Sequence, residues 1–112
     1  MAGAKPRPAA VLYAAYCAAC HGPTGRGDGY NVPYLPERPT VHADSSAMSR
    51  RPDDTLFDAI YAGGRIVGRS HRMPPFGESL RRAEIRSLVS HIRELCGCQG
   101  PSWSRDGAPF AP

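Results

Sequence analysis

Residues 17–21 read Cys17-Ala18-Ala19-Cys20-His21, two thiols three residues apart with a histidine directly after the second. On one helical turn the two thiols share a side, and each can add across a vinyl group of a haem. His21 then lies under the iron and offers an imidazole nitrogen. Two other chemistries use a C-x-x-C pair. A zinc site would need a second ligand pair. Cys96 and Cys98 are the remaining cysteines, and their C-x-C spacing is not the usual knuckle. A dithiol redox motif expects βαβ surroundings, and no strand-like run stands near this one. Haem attachment is the strongest of the three readings.

A second feature agrees. Leu, Ile, Val and Phe together supply 18 of 112 residues, below the ~20% at which a chain struggles to build a core. Twelve Gly and twelve Pro add to the difficulty, while a formal net charge of +4 is too small to signal disorder. A compact fold therefore needs apolar material besides side chains, and a buried prosthetic group would supply it. No stretch approaches the ~20 apolar residues of a membrane span. The basic residues, 13 Arg and one Lys, are scattered rather than in runs, which does not suggest nucleic acid.

Lys5 and Arg7 ahead of the apolar run from Ala9 to Cys20 resemble a secretion signal. The run contains two tyrosines, however, and its removal would take the Cys-x-x-Cys-His motif with it. Residues 1–8 are therefore expected to be a short leader of a mature chain, residues 9–96 one domain and residues 97–112 a tail. Haem c is attached outside the bacterial cytoplasm, so the expected location is periplasmic, with the signal peptide not present in this chain.

Residues 9–20 are expected to form a first helix. From Gly22 to Arg51 periodicity is lost among repeated Gly and Pro. Such a long irregular stretch fits a compact domain only if it packs on something other than chain. Asp53 is expected to cap a helix carrying Leu56, Phe57 and Ile60 and ending at Gly63 and Gly64. Ile85, Leu88, Val89, Ile92 and Leu95 recur at helical spacing and predict an amphipathic last helix that stops at Gly97.

For the second axial position of an iron, Met73 opens Met73-Pro74-Pro75-Phe76-Gly77 between two helices. Two prolines stiffen that segment, and a thioether is a soft ligand for haem iron. Met48 is expected at the surface. His71, two residues before Met73, is the rival, and bis-histidine ligation would give a lower potential. His42 is expected to be a solvated loop residue and His91 a packing residue of the last helix.

In order and spacing these motifs resemble the class I, mono-haem bacterial cytochromes c. The likeness covers residues 9–96 through Cys17-Ala18-Ala19-Cys20-His21-Gly22, Gly25-Arg26-Gly27-Asp28-Gly29, Asp53-Asp54-Thr55-Leu56-Phe57-Asp58-Ala59-Ile60, Met73-Pro74-Pro75-Phe76-Gly77 and Ala83-Glu84-Ile85-Arg86-Ser87-Leu88-Val89. It implies an all-α cytochrome c fold, three main helices and loops around one covalent haem c. Pro33-Tyr34-Leu35 stands where the family has a Pro-x-Leu element. By resemblance the Pro33 carbonyl accepts a hydrogen bond from His21 Nδ1–H. The implied cofactor-binding set is Cys17, Cys20, His21, Met73 and Pro33, with His21 and Met73 on the metal. Ala9 or Ala10 stands where the family often has Gly, His91 replaces an aromatic residue, and Arg81 replaces a Ser or Thr cap.

An iron ligated on both faces offers no position to substrate, so the implied function is one-electron transfer between Fe(III) and Fe(II), not catalysis. Donor and acceptor proteins would dock at the haem edge of a monomer. Arg65, Arg69 and Arg72, with no acid between Gly64 and Gly77, would steer an acidic partner. The alternatives are an electron-transfer subunit of a larger oxidoreductase, or a haem enzyme or gas sensor with a labile sixth ligand. In an oxidising compartment Cys96 and Cys98 are expected to form an intrachain disulfide, with Gly97 giving the backbone freedom. An intermolecular bridge and a free thiol pair are the other options. The pair is read as a helix terminator rather than a redox device.

Overall fold

The computed structural model describes residues 5–64 and 73–104. His71, Arg65, Arg69 and Arg72 lie outside the described residues. In chain order the helices are α1 (Ala9–Tyr16), α2 (Ala18–His21), α3 (Ser45–Met48), α4 (Asp53–Ala62) and α5 (Arg82–Cys96), with short 3-10 turns at Val32–Tyr34 and Ser102–Ser104. No strand occurs among the described residues, and the fold is all-α. None of the described helices is long and apolar enough to cross a membrane.

α5 is the axis of the molecule. Ile85, Leu88, Val89, Ile92 and Cys96 recur every three or four residues, and all are buried. They pack against Leu12 and Tyr13 of α1, Leu56 and Ile60 of α4, Leu80 and Met48. Met48 is fully buried, not at the surface as expected. α3 turns it inward, and the Met48 carbonyl accepts a 2.6 Å hydrogen bond from Arg93 Nη1 of α5. At the far end Gly97 adopts a left-handed conformation at φ 58°. Gly97 N–H donates to Glu94 O at 3.1 Å and Cys98 N–H to Arg93 O at 3.2 Å, the bond pair of a Schellman stop.

The first helical segment breaks at Cys17, so that α1 and α2 are separate pieces. Asp53 is not the cap of α4 but its first residue, after Pro52. The Asp53 carboxylate is engaged elsewhere, 2.7 Å from Arg93 Nε, and its N–H donates to Ser104 Oγ at 3.0 Å. That bond ties the segment after α5 to α4.

The opposite end of α5 is closed by Glu84. Its Oε1 accepts from Arg81 N–H at 2.9 Å, which caps the helix from the third position in place of a Ser or Thr side chain. Its Oε2 accepts from Arg7 N–H at 3.0 Å and Arg7 Nε at 2.8 Å. Residues just ahead of α1 are thereby fastened to the start of α5. The Glu84 side chain is buried, and Arg7, followed by the Arg81 amide, holds its carboxyl down at about 2. Because the folded value lies below that of an unfolded glutamate, about 4.3, this contribution is present above pH ~4.3 and is lost as pH falls towards about 2. Glu84→Gln should cost about 1–2 kcal/mol at pH 7, allowing for the solvent exposure of Arg7. Denaturant titrations at pH 7 and at progressively lower pH should show the gap to wild type closing with acid. A gap that does not depend on pH would contradict this role.

Candidate functional site

The short helix α2 could not persist alone. The loop after it supplies what it lacks: Gly27 N–H donates to His21 O at 2.7 Å, Gly29 N–H to Cys20 O at 3.1 Å and Asn31 N–H to Ala19 O at 2.8 Å. A side chain on Gly29 would run into the Ala18 and Ala19 carbonyls. This close approach fixes the turn that presents Cys17, Cys20 and His21.

All three residues line one cleft of about 990 Å³, counting its open mouth. Met73 lines the same cleft, with Pro74 and Phe76. Backbone bonds hold this segment to the end of α4: Gly64 N–H to Met73 O at 3.1 Å, Phe76 N–H to Ile60 O at 2.9 Å and Gly77 N–H to Tyr61 O at 2.9 Å. Tyr16 adds an edge contact to Phe76, with ring centroids 5.6 Å apart. Leu35, Leu56, Ala59, Ile60 and Ile92 make the walls apolar, and Arg38 and Arg51 stand among them.

His21 Nδ1 lies 2.9 Å from the Thr40 carbonyl oxygen. A carbonyl only accepts, so Nδ1 carries the proton and Nε2 keeps its lone pair. Burial pushes the imidazole pKa below its ordinary value, partly opposed by the Thr40 bond. On balance the surroundings favour the neutral ring, the form that can bind a metal. The expected partner was the Pro33 carbonyl, and Thr40 takes its place. Pro33 sits in the Val32–Tyr34 turn, which closes on itself through Tyr34 N–H to Asn31 O and Leu35 N–H to Val32 O. Pro33 is exposed and does not line the cleft. Burial, then the neighbouring Cys20, pushes the Cys17 thiol up to about 12, so it remains protonated.

His42 is buried, not solvated. Its ring stacks on His21 with centroids 4.0 Å apart, and its Nδ1 lies 2.8 Å from Tyr13 Oη. Burial holds the Tyr13 phenol well above its ordinary pKa, so it donates and His42 accepts. Tyr13 also meets His91, with centroids 4.9 Å apart. The α1–α5 crossing thus uses a tyrosine–histidine contact where the family often has glycine against an aromatic ring. No sequence signal singled out Thr40 or His42; both sit in the aperiodic stretch.

The donor set bears on the alternatives. Cys96 and Cys98 are bonded to each other, so they cannot complete a zinc site with Cys17 and Cys20. Haem c asks for two thiols, two axial donors, apolar walls and cations for its carboxylates. Residues of each kind line the cleft: Cys17 and Cys20, His21 and Met73, aliphatic side chains, and Arg38 and Arg51 beside Glu37.

A family model described as cytochrome c oxidase, cbb3-type, subunit III matches residues 4–92. A solved structure described as KustC0563 c-type cytochrome superimposes with a TM-score of 0.62 at 24% identity, covering 80% of this chain and 98% of that one. At that identity the likeness speaks for the fold alone. No curated protein matches the chain.

Gly29→Ala should cost about 3 kcal/mol, because the added methyl group meets backbone that cannot move without carrying α2 with it. Denaturant unfolding of the holoprotein would measure it. A loss under ~1 kcal/mol would mean that the loop does not fix the turn.

Proposed function

The chain belongs to the family of cytochrome c oxidase, cbb3-type, subunit III, and from that premise we propose that it is a periplasmic, monomeric one-electron carrier with one haem c ligated by His21 and Met73. Membership makes it a small c-type cytochrome, and the family binds covalent haem c and serves haem-based electron transfer. The observation that carries the finer reading is the convergence of Cys17, Cys20, His21 and Met73 on one cleft.

The iron of a bound haem c supplies a one-electron couple. The chain's residues do the rest. Cys17 and Cys20 would hold the macrocycle by thioether bonds. Thr40 fixes the His21 ring and raises its basicity. The backbone bonds from Gly64, Phe76 and Gly77 limit the travel of Met73. With the His21 imidazole and the Met73 thioether as its donors, the group would have a higher potential than with two imidazoles. Two donors from the chain would leave no position for substrate, which favours electron transfer over catalysis. The mouth of the cleft is then where donor and acceptor proteins approach.

Met73→Ala should leave the haem covalently attached and open one axial position. High-spin ferric iron, a fall in potential and new carbon monoxide binding are expected, read by absorption spectroscopy and redox titration. A low-spin spectrum with an intact methionine signature in Met73→Ala would exclude this ligand.

The family description favours a second reading, in which the chain is an electron-transfer subunit of a larger oxidoreductase. Native purification separates the two. Elution at the size of a single chain supports the carrier, and co-elution with oxidase activity supports the subunit.

A further inference from the structure

The disulfide between Cys96 and Cys98 has no part in the cleft. Its reading as a helix terminator is weakened by the fold itself. α5 is already stopped by Gly97 and by the two backbone bonds to Glu94 O and Arg93 O. A bridge over one intervening residue also closes a very short loop, and so constrains the unfolded chain little. Neither helix termination nor stapling accounts for two cysteines at this place.

The surroundings favour a different chemistry. Cys96 is buried at the end of α5, while Cys98 is half-buried. Arg93 Nη1 lies 4.0 Å from Cys98 Sγ. The guanidinium is held in place by Asp53 Oδ1 and by the carbonyls of Met48 and Arg51. Its charge is paired with the Asp53 carboxylate, but Nη1 stays directed at a partly accessible sulfur, and an N–H held there favours the thiolate. Beside Cys96 Sγ, at 3.4 Å, stands the Arg93 carbonyl oxygen, placed to accept the S–H of a reduced Cys96. The site therefore offers one electrostatic and one hydrogen-bonding contact to the reduced pair. Stabilising the dithiol makes a disulfide easier to reduce.

We propose that Cys96 and Cys98 form a second redox site, a dithiol/disulfide pair that exchanges with thiol–disulfide partner proteins independently of the haem cleft. In the reducing direction a partner thiolate attacks Cys98 Sγ. A new S–S bond forms there, the Cys96–Cys98 bond breaks, and its electron pair leaves on Cys96 Sγ, which takes a proton. A second partner thiol attacks the partner's sulfur in the mixed disulfide and releases Cys98. The partner's two thiols become one disulfide, while the chain gains two electrons and two protons. In the reverse direction Cys98 is the attacking thiolate and Cys96 resolves the mixed disulfide.

The test uses the complete holoprotein in a series of glutathione/glutathione disulfide mixtures, quenched with acid, alkylated and mapped by mass spectrometry. Cys96 and Cys98 should become alkylatable together, half-reduced within the glutathione series, while the haem absorption spectrum stays native. A pair that remains oxidised at the most reducing ratio and opens only in denaturant would overturn the proposal. Single variants give a second readout through the thiol that each leaves behind. Cys98 in Cys96→Ser should alkylate at least ~10-fold faster at pH 7 than Cys96 in Cys98→Ser. Equal or reversed rates would overturn the assignment of Cys98 as the exchanging sulfur.

Discussion

Three backbone hydrogen bonds from Gly27, Gly29 and Asn31 to the carbonyls of His21, Cys20 and Ala19 hold a four-residue helix that could not hold itself. The positions of the two thiols and of the His21 ring follow from them. So does the path of the chain beyond, through exposed Pro33 and on to Thr40, whose carbonyl orients the imidazole. A stretch with little regular structure thus does the work that a strand or a long helix does in other sites. It can do so because its N–H groups are spent on one short turn of helix rather than on a ladder of their own.

The aliphatic core is small, and two ionic anchors extend it. Arg93 joins the middle of the fold, reaching the Asp53 carboxylate at the start of α4 and the Met48 and Arg51 carbonyls ahead of it. Glu84 joins the segment before α1 to the start of α5. Both side chains belong to the otherwise amphipathic α5. That one helix therefore carries the apolar stripe and the long-range polar ties together. Ile92, from the same stripe, lines the cleft. The packing of α5 and the shape of the site are accordingly coupled through a single element.

Much of this was legible in the sequence. The Cys-x-x-Cys-His spacing points to the cofactor, and the 3.6-residue period of Ile85, Leu88, Val89 and Ile92 predicts α5. Met73 lines the cleft with Cys17 and His21, and the Pro-Pro segment beside it is the sequence feature that marks it. What escaped was set by tertiary contact. Thr40 rather than Pro33 meets His21, because the Val32–Tyr34 turn closes on itself and faces outward. Met48 and His42 lie in the aperiodic stretch, where no period tells inside from outside, and both are buried. Arg93 looked like one more scattered arginine; only the convergence of three acceptors explains it.

If the apolar walls of the cleft complete their packing on a covalently held haem, the chain alone lacks a sufficient core. The most direct measurement is scanning calorimetry and far-UV circular dichroism of Cys17→Ser/Cys20→Ser, which cannot form the thioether bonds, beside the wild-type holoprotein. The double variant should show no cooperative unfolding transition and a large loss of helicity. A cooperative transition with native-like helicity in the haem-free chain would contradict it.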